Sequence, residues 1–308
     1  GCRHRNAPPH ARWCSPAFNR TQGGHRNGGT SDALIFMTTI TYTTGSTTRT
    51  HHSRLVWMLI DSWVLIKRSL LHIIKNRDQL LGLTIQPVMF MLLFRYVFGG
   101  AIETGGGSYV NFLTAGILIQ SVAFGSLTTS MSVATDLQRG IIDRFKSMPI
   151  AATSAIVGHV VADLARNTIQ SLVMISVAFL VGFRPEASFS DWLLIAGIIF
   201  LFTFALSWVA AIMGLLAKTV ESVQWMGFFV VFPLTFASAA FVPTATMVPF
   251  LRAFAENQPV THVIEAVRAL MTGAPVGNHA WIAAVWCLGI ILVSVPVAAI
   301  LFRRHVSR

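Results

Sequence analysis

WLLIAGIIFLFTFALSWVAAIMGLLA, residues 192–217, runs for 26 positions without a charged residue. At 1.5 Å per residue, a helix of that length exceeds the roughly 30 Å hydrocarbon core of a bilayer. A helix apolar on every side is a buried or membrane-spanning one. Five further segments read the same way: QLLGLTIQPVMFMLLFRYVFG at 79–99, then 110–132, 164–183, 223–243 and 281–302. They lack the alternation of barrel strands, so the backbone has to satisfy itself within helices. The fold class expected is an all-α membrane protein with six transmembrane helices, the bundle covering 79–304. Composition agrees: of 308 residues 54% are hydrophobic and 11% charged, against about 25% charged in soluble domains.

The net charge of +11 would suggest a nucleic-acid partner in a soluble protein. Here it reads as topology. Counting from residue 54, thirteen Lys and Arg fall on one side of the spans and three on the other. The positive-inside bias then makes both termini cytoplasmic, including the short 305–308 end, and no nucleic acid is needed. Residues 1–36 differ from the rest, being rich in Gly, Pro, Arg, His and Asn without apolar periodicity. Residues 1–53 are expected to form a disordered basic tail. Met37 reads as an initiator, which would make 1–36 translated upstream sequence and not native coding; the alternative is a tail drawn to anionic lipid. Cys2, Cys14 and Cys287 form neither a disulfide framework nor a metal site.

The cytoplasmic flank 54–78 carries an apolar stripe that includes Trp63, with Lys67, Arg68, Lys75 and Arg77 mostly off it. That pattern suits a helix lying in the headgroup plane; the plainer alternative is a charged flank that fixes topology. Between the second and third spans, Leu137, Ile141, Phe145 and Met148 form one stripe and Asp136, Arg139, Asp143 and Lys146 another, with Arg144 beside them. Opposite charges three residues apart can pair, and Pro149 stops the helix. Pattern alone leaves two readings open here, a docking helix for a cytosolic protein or a helix packed on its own bundle. Asp163 and Arg166 are read as snorkelling anchors at the cytosolic end of the third span, and Arg95 as another at the outer end of the first.

The chain lacks GxxxxGK[ST], HExxH, CxxC and GxSxG, so no phosphate cradle, zinc protease or nucleophile elbow is present. Enzyme chemistry and cofactors are not expected in this chain. Polar content in the spans is hydroxyl and amide instead. Gln120, Ser126 and Thr129 of the second span, with Phe232 and Phe236 of the fifth, are the candidates for a translocation path or a helix interface. On the outer side, 244–280 holds NQPVTHVIEAVRALMTG. Thr261 is expected to cap a short helix with Val263, Val267 and Leu270 on its apolar face, and Gly273 to end it. Such an element, with Pro259, His262, Glu265 and Arg268, could dip back into the membrane beside an exit or simply cap the bundle.

Four segments, DLQRGIIDRFKSMPI (136–150), VADLARN (161–167), FASAAFVPTATM (236–247) and NQPVTHVIEAVRALMTG (257–273), resemble permeases of type-2 ATP-binding-cassette exporters. The likeness is to the daunorubicin/doxorubicin-resistance branch and runs over roughly Asp61–Arg304. It implies a subunit that pairs with a second permease protomer, identical or related, and docks two copies of a separate ATPase chain that holds ATP and Mg. It implies that 136–148 is the coupling helix, 61–77 the interfacial helix and 257–273 a re-entrant external element. The expected cargo is a hydrophobic or amphiphilic compound moved outward across a bacterial plasma membrane. Export of an envelope lipid or glycolipid is the alternative within transport; a membrane scaffold or immunity protein is the alternative outside it.

Overall fold

The structure, a computed structural model, describes residues 77–99, 109–139, 153–217 and 219–306. The described residues are helical, without a strand. In chain order they form α1 (Arg77–Leu93), prolonged by a π-helical turn (Phe94–Phe98), α2 (Tyr109–Gln138) and α3 (Thr153–Val181). These are followed by α4 (Phe189–Leu216), α5 (Val220–Phe236), α6 (Pro249–Asn257), α7 (Pro259–Thr272) and α8 (His279–Val306). The expected tail and nearly all of the expected interfacial helix lie outside the described residues.

Helices α2, α3, α4 and α8 are each long and apolar enough to cross a membrane. The first and fifth expected spans correspond to shorter apolar helices, Thr84–Val97 and Val220–Phe236. Helix α5 was expected to continue to 243. It ends at Phe236 because the chain turns there, with Ala237 N donating to Pro233 O and Ser238 Oγ to Thr235 O. Helix α3 begins at Thr153, eleven residues before the expected start at 164. The sequence reading stopped that span at Asp163 and Arg166; the helix runs through both because they satisfy one another inside the bundle, as described below.

Helix α2 is the buried axis, packed against α3, α4, α5 and α7. Its 30 residues include Leu113, Ile117, Leu118 and Ile119 with no exposure at all. Glycine lets neighbours approach it: a Cβ on Gly116 would lie 2.0 Å from Ala240 O, and one on Gly214 of α4 would lie 2.5 Å from Ser130 O. The outward faces of α4 and α8 leave Phe189, Leu193, Leu292 and Val293 exposed, as expected where lipid is the solvent. Many span hydroxyls return to the carbonyl four residues back on their own helix, as Thr114, Ser126, Thr203 and Thr235 do. Fewer bridge helices: Ser130 Oγ donates to Ala210 O across α2 and α4 at 2.7 Å.

Because the Gly116 contact is with backbone, Gly116→Ala has no flexible neighbour to displace. The expected cost is about 1–3 kcal/mol, read as a lower thermal midpoint in detergent; an unchanged midpoint would show that α2 can back away from the 236–243 turn.

Candidate functional site

A cavity of about 370 Å³ lies between α1, α2, α3 and α5. Four amide side chains reach it, one from each helix: Gln86, Gln120, Gln170 and Gln224; Phe90, Phe124 and Phe228 give it aromatic walls. Gln86 and Gln224 are exposed at its edge, while Gln120 and Gln170 are about 3% exposed. Gln170 Nε2 donates to Ser121 O on α2 at 3.3 Å, tying α3 to the buried axis.

From Phe228 a ladder of rings leads along α5. Phe228 stacks on Phe232 at 4.9 Å between centroids, Phe232 on Phe236 at 4.2 Å, Phe236 meets Phe241 at 5.0 Å, and Phe241 stacks on Phe94 at 4.5 Å. The spacing is that of mutually attractive aromatic pairs. The top of the ladder is fixed by α7. Gln258 Nε2 donates to Ala237 O at 2.7 Å, Ala239 N donates to Thr261 Oγ1 at 3.3 Å, and Arg268 Nη2 donates to Ala239 O at 2.5 Å. Arg268 also donates to Phe112 O at 3.2 Å, lies 3.6 Å over the Phe112 ring, and pairs with Glu265 at 2.6 Å. Thr261 is therefore not the helix cap expected of it. Pro259 takes the first helical position, Gln258 stands before it, and the Thr261 hydroxyl serves a neighbouring turn. Gly273 closes α7 in the left-handed conformation, at φ 69°, as the sequence led one to expect.

Deeper in the bundle, Asp163 is completely buried, and the snorkelling reading of Asp163 and Arg166 fails. Ser207 Oγ of α4 donates to its carboxylate at 2.5 Å and Arg166 Nη1 at 3.2 Å. The hydroxyls of Ser126 and Thr129 on α2 also face that carboxylate. The polar knot joins α2, α3 and α4, and both charges are met by protein and not by the membrane surface.

The candidates from sequence thus separate. Gln120 lines the cavity, Phe232 and Phe236 form rungs of the ladder, and Ser126 and Thr129 turn toward Asp163. Asp136 and Leu137 close α2 and Arg139 follows it. Asp136 Oδ2 lies 2.9 Å from His159 Nε2 of α3, and Leu137 packs on the inner apolar cluster around Trp208 and Phe302. Ile141, Asp143, Arg144, Phe145, Lys146 and Met148 lie outside the described residues, as do Trp63, Lys67, Arg68 and Lys75; Arg77 begins α1. Gln86, Gln170 and Gln224 were missed. Amides in apolar runs were a visible signal, but which of them share a cavity is set by packing between helices distant in sequence. On α7, His262 Nδ1 lies 3.1 Å from His279 Nδ1 at the start of α8. Burial holds His262 below the usual histidine value of 6.5, His279 pushes the same way, and Glu265 opposes them.

A bundle of apolar helices around an amide-lined cavity, capped by a buried amphipathic helix, is the architecture of a membrane permease, and comparison with known proteins places it. The chain belongs to the ABC-2 type transporter family, whose model matches residues 61–272. It is 30% identical to the daunorubicin resistance ABC transporter permease protein DrrB1 of Streptomyces coeruleorubidus over 214 residues, 70% of this chain and 73% of that protein. It is 26% identical over 234 residues to the probable doxorubicin resistance ABC transporter permease protein DrrC of Mycobacterium tuberculosis, covering 73% of this chain and 81% of the relative. The inner membrane transport permease YadH of Escherichia coli is 25% identical over 193 residues, 60% of this chain and 73% of YadH. The family and the apolar helices make this a multi-pass membrane protein and a transport subunit.

Removing the Asp163 carboxylate would leave Arg166 buried without its partner. Asp163→Ala is expected to cost about 3–5 kcal/mol, and Asp163→Ala with Arg166→Met together less than Asp163→Ala alone; equal losses in thermal midpoint would contradict a coupled pair. His262 gives a pH dependence. Its folded value lies below the unfolded one, so the unfolded chain binds the proton more readily. The stability it contributes is present above pH 6.5 and is lost as pH falls through the depressed value. Among the described residues, His279 and Glu265 are the titratable groups that act on it. The thermal midpoint should fall between about pH 7 and pH 5, and His262→Asn should flatten that slope; the same slope in the variant would assign it elsewhere.

Proposed function

We propose that this chain is the permease subunit of an ATP-driven exporter of hydrophobic or amphiphilic, drug-type compounds. It crosses the plasma membrane of a bacterium six times with both termini in the cytosol, pairs with a second protomer, and docks two copies of an ATPase chain that carries ATP and Mg. The observation that carries this reading is the continuity of the amide-lined cavity with the phenylalanine ladder. Phe228 belongs to both, so an amphiphile has hydrogen-bonding and aromatic surfaces from the cavity to the turn under α7. The relatives named for daunorubicin and doxorubicin resistance support a drug-type cargo. The thirteen-to-three bias of Lys and Arg supports the orientation, which puts α7 at the exit side.

In the proposed cycle, closure of the ATPase pair is felt first at 136–148. Asp136, Arg139, Asp143, Arg144 and Lys146 provide the charged contacts, and the bond from Asp136 to His159 ties the end of α2 to α3. Movement reaches the cavity through α2, which forms one wall of it. Motion is transmitted only if those contacts differ between the two ATPase states.

The test is co-purification with the ATPase followed by ATPase and export assays. Arg139→Ala, Arg144→Ala and Lys146→Ala combined should insert normally into the membrane and reduce cargo-stimulated ATPase activity at least tenfold. Export and stimulation that both survive this change would refute docking at 136–148.

A further inference from the structure

The segment 273–278 brings the start of α8 back to the first turn of α7, with Gly273 and Gly277 both in the left-handed region, at φ 69° and 55°. It sets His279, the first residue of α8, against His262 of α7. Their Nδ1 atoms lie 3.1 Å apart, while the ring centroids lie 5.4 Å apart with planes inclined at 35°. The rings therefore meet by their nitrogen edges and not by their faces. His262 is half-buried and His279 exposed. The export cycle uses neither. We propose that this pair is a binding site for a divalent transition metal of the zinc, nickel and copper class, clasped between two helices by two imidazole nitrogens. The proposal does not depend on the export reading.

Neutral imidazole suits these ions, whereas magnesium and calcium take oxygen ligands. Two nitrogens each about 2.0–2.1 Å from one metal stand about 3.0–3.4 Å apart when the angle at the metal is about 95–110°. The observed 3.1 Å falls inside that range. Without a metal, the same contact is a hydrogen bond in which one ring donates from Nδ1 and the other accepts. An ion takes the place of that shared proton. The donor ring then carries its proton on Nε2, so two neutral rings bind the metal without releasing one. Among the described residues no third His, Cys, Asp or Glu joins the pair. The remaining positions on the metal fall to water, which the exposed side of His279 admits. Both histidines sit in first turns, where the helix dipole weakens a cation by about two- to fivefold. Two metal–imidazole bonds outweigh that, and the charge of Glu265 acts on His262 in the opposite sense. The result is an open, exchangeable site. Filled, it ties α8 to the helix that holds the 237–240 turn.

The experiment titrates the chelator-treated, full-length chain, free of any polyhistidine tag and held in lipid nanodiscs, with Zn²⁺ at about pH 7.5, where histidine is mostly neutral. The chain has ten histidines, so the readout is a difference. Wild type should bind one Zn²⁺ per chain more than His262→Gln or His279→Gln, and the double variant should lose the same single equivalent as each. Zn²⁺ at about 100 times its dissociation constant should also raise the wild-type thermal midpoint by at least about 3 °C, since an ion held only by the folded site favours the folded state. Mg²⁺ and Ca²⁺ should leave the midpoint where it is. Equal zinc content in wild type and variants, or two equivalents lost in the double variant, would overturn the proposal. So would a midpoint that zinc does not raise in wild type, or raises equally in both single variants. The wild-type midpoint decides even where a variant folds poorly. Neither readout involves cargo or ATPase, so failure of the export reading leaves the metal site standing, and the reverse.

Discussion

A chain surrounded by hydrocarbon cannot borrow water to satisfy its backbone, so the peptide donors and acceptors of the bundle have to be met from within, and side-chain polar groups gain most from partners on the protein. The rest of the structure follows from how this is done. Span hydroxyls mostly return to their own helix, at Thr114, Thr203 and Thr235, and so cost little without specifying a neighbour. The groups that do specify neighbours are fewer and stronger. Asp163 takes bonds from Arg166 and Ser207, fixing α3 against α4. Arg268 reaches Phe112 O, Ala239 O and Glu265 at once, fixing α7 against α2 and the turn after α5. Between these two knots, α2 packs through glycine and apolar side chains. The arrangement of the helices is therefore set by two buried cations and the acceptors around them together with close packing of small and apolar residues.

The buried axis also explains why separate regions can act together. Helix α2 carries Asp136 near its C-terminal end, Gln120 at the cavity and Gly116 under the Ala240 turn. A single helix thus touches the proposed docking face, the amide-lined cavity and α7. At Gly116 the helix meets the backbone of the turn that leads to Phe241, so α2 has no room to move toward it.

Much of the fold was legible in the sequence because hydropathy reports the solvent directly. All six expected spans correspond to helices, and the amphipathic pattern at 261–270 found α7 with Gly273 as its end. Boundaries were less legible where a single residue carried two meanings. Asp163 and Arg166 look like the edge of a membrane when read along the chain, since a charge ordinarily marks water. Ser207, the group that cancels this inference, lies 44 positions away. Thr261 has the identity of a helix cap, yet its hydroxyl serves Ala239. Local preference gave way to a tertiary demand in both cases. The candidate site divided along the same line. Phe232 and Phe236 share a face because they are four apart on one helix, a relation the sequence contains. Gln86, Gln120, Gln170 and Gln224 share a cavity because four helices pack in one way, and no periodicity along the chain encodes that.

The clamp on the 237–240 turn constrains the rings beside it. The ladder's upper rungs, Phe236 and Phe241, flank the turn held by Gln258, Thr261 and Arg268. To part those rings, the turn has to leave α7, and Ala237 O and Ala239 O then lose their donors inside an apolar surround. Each such unmet carbonyl would cost about 1–3 kcal/mol, so the turn and the two rings it carries are held to α7 by more than apolar contact.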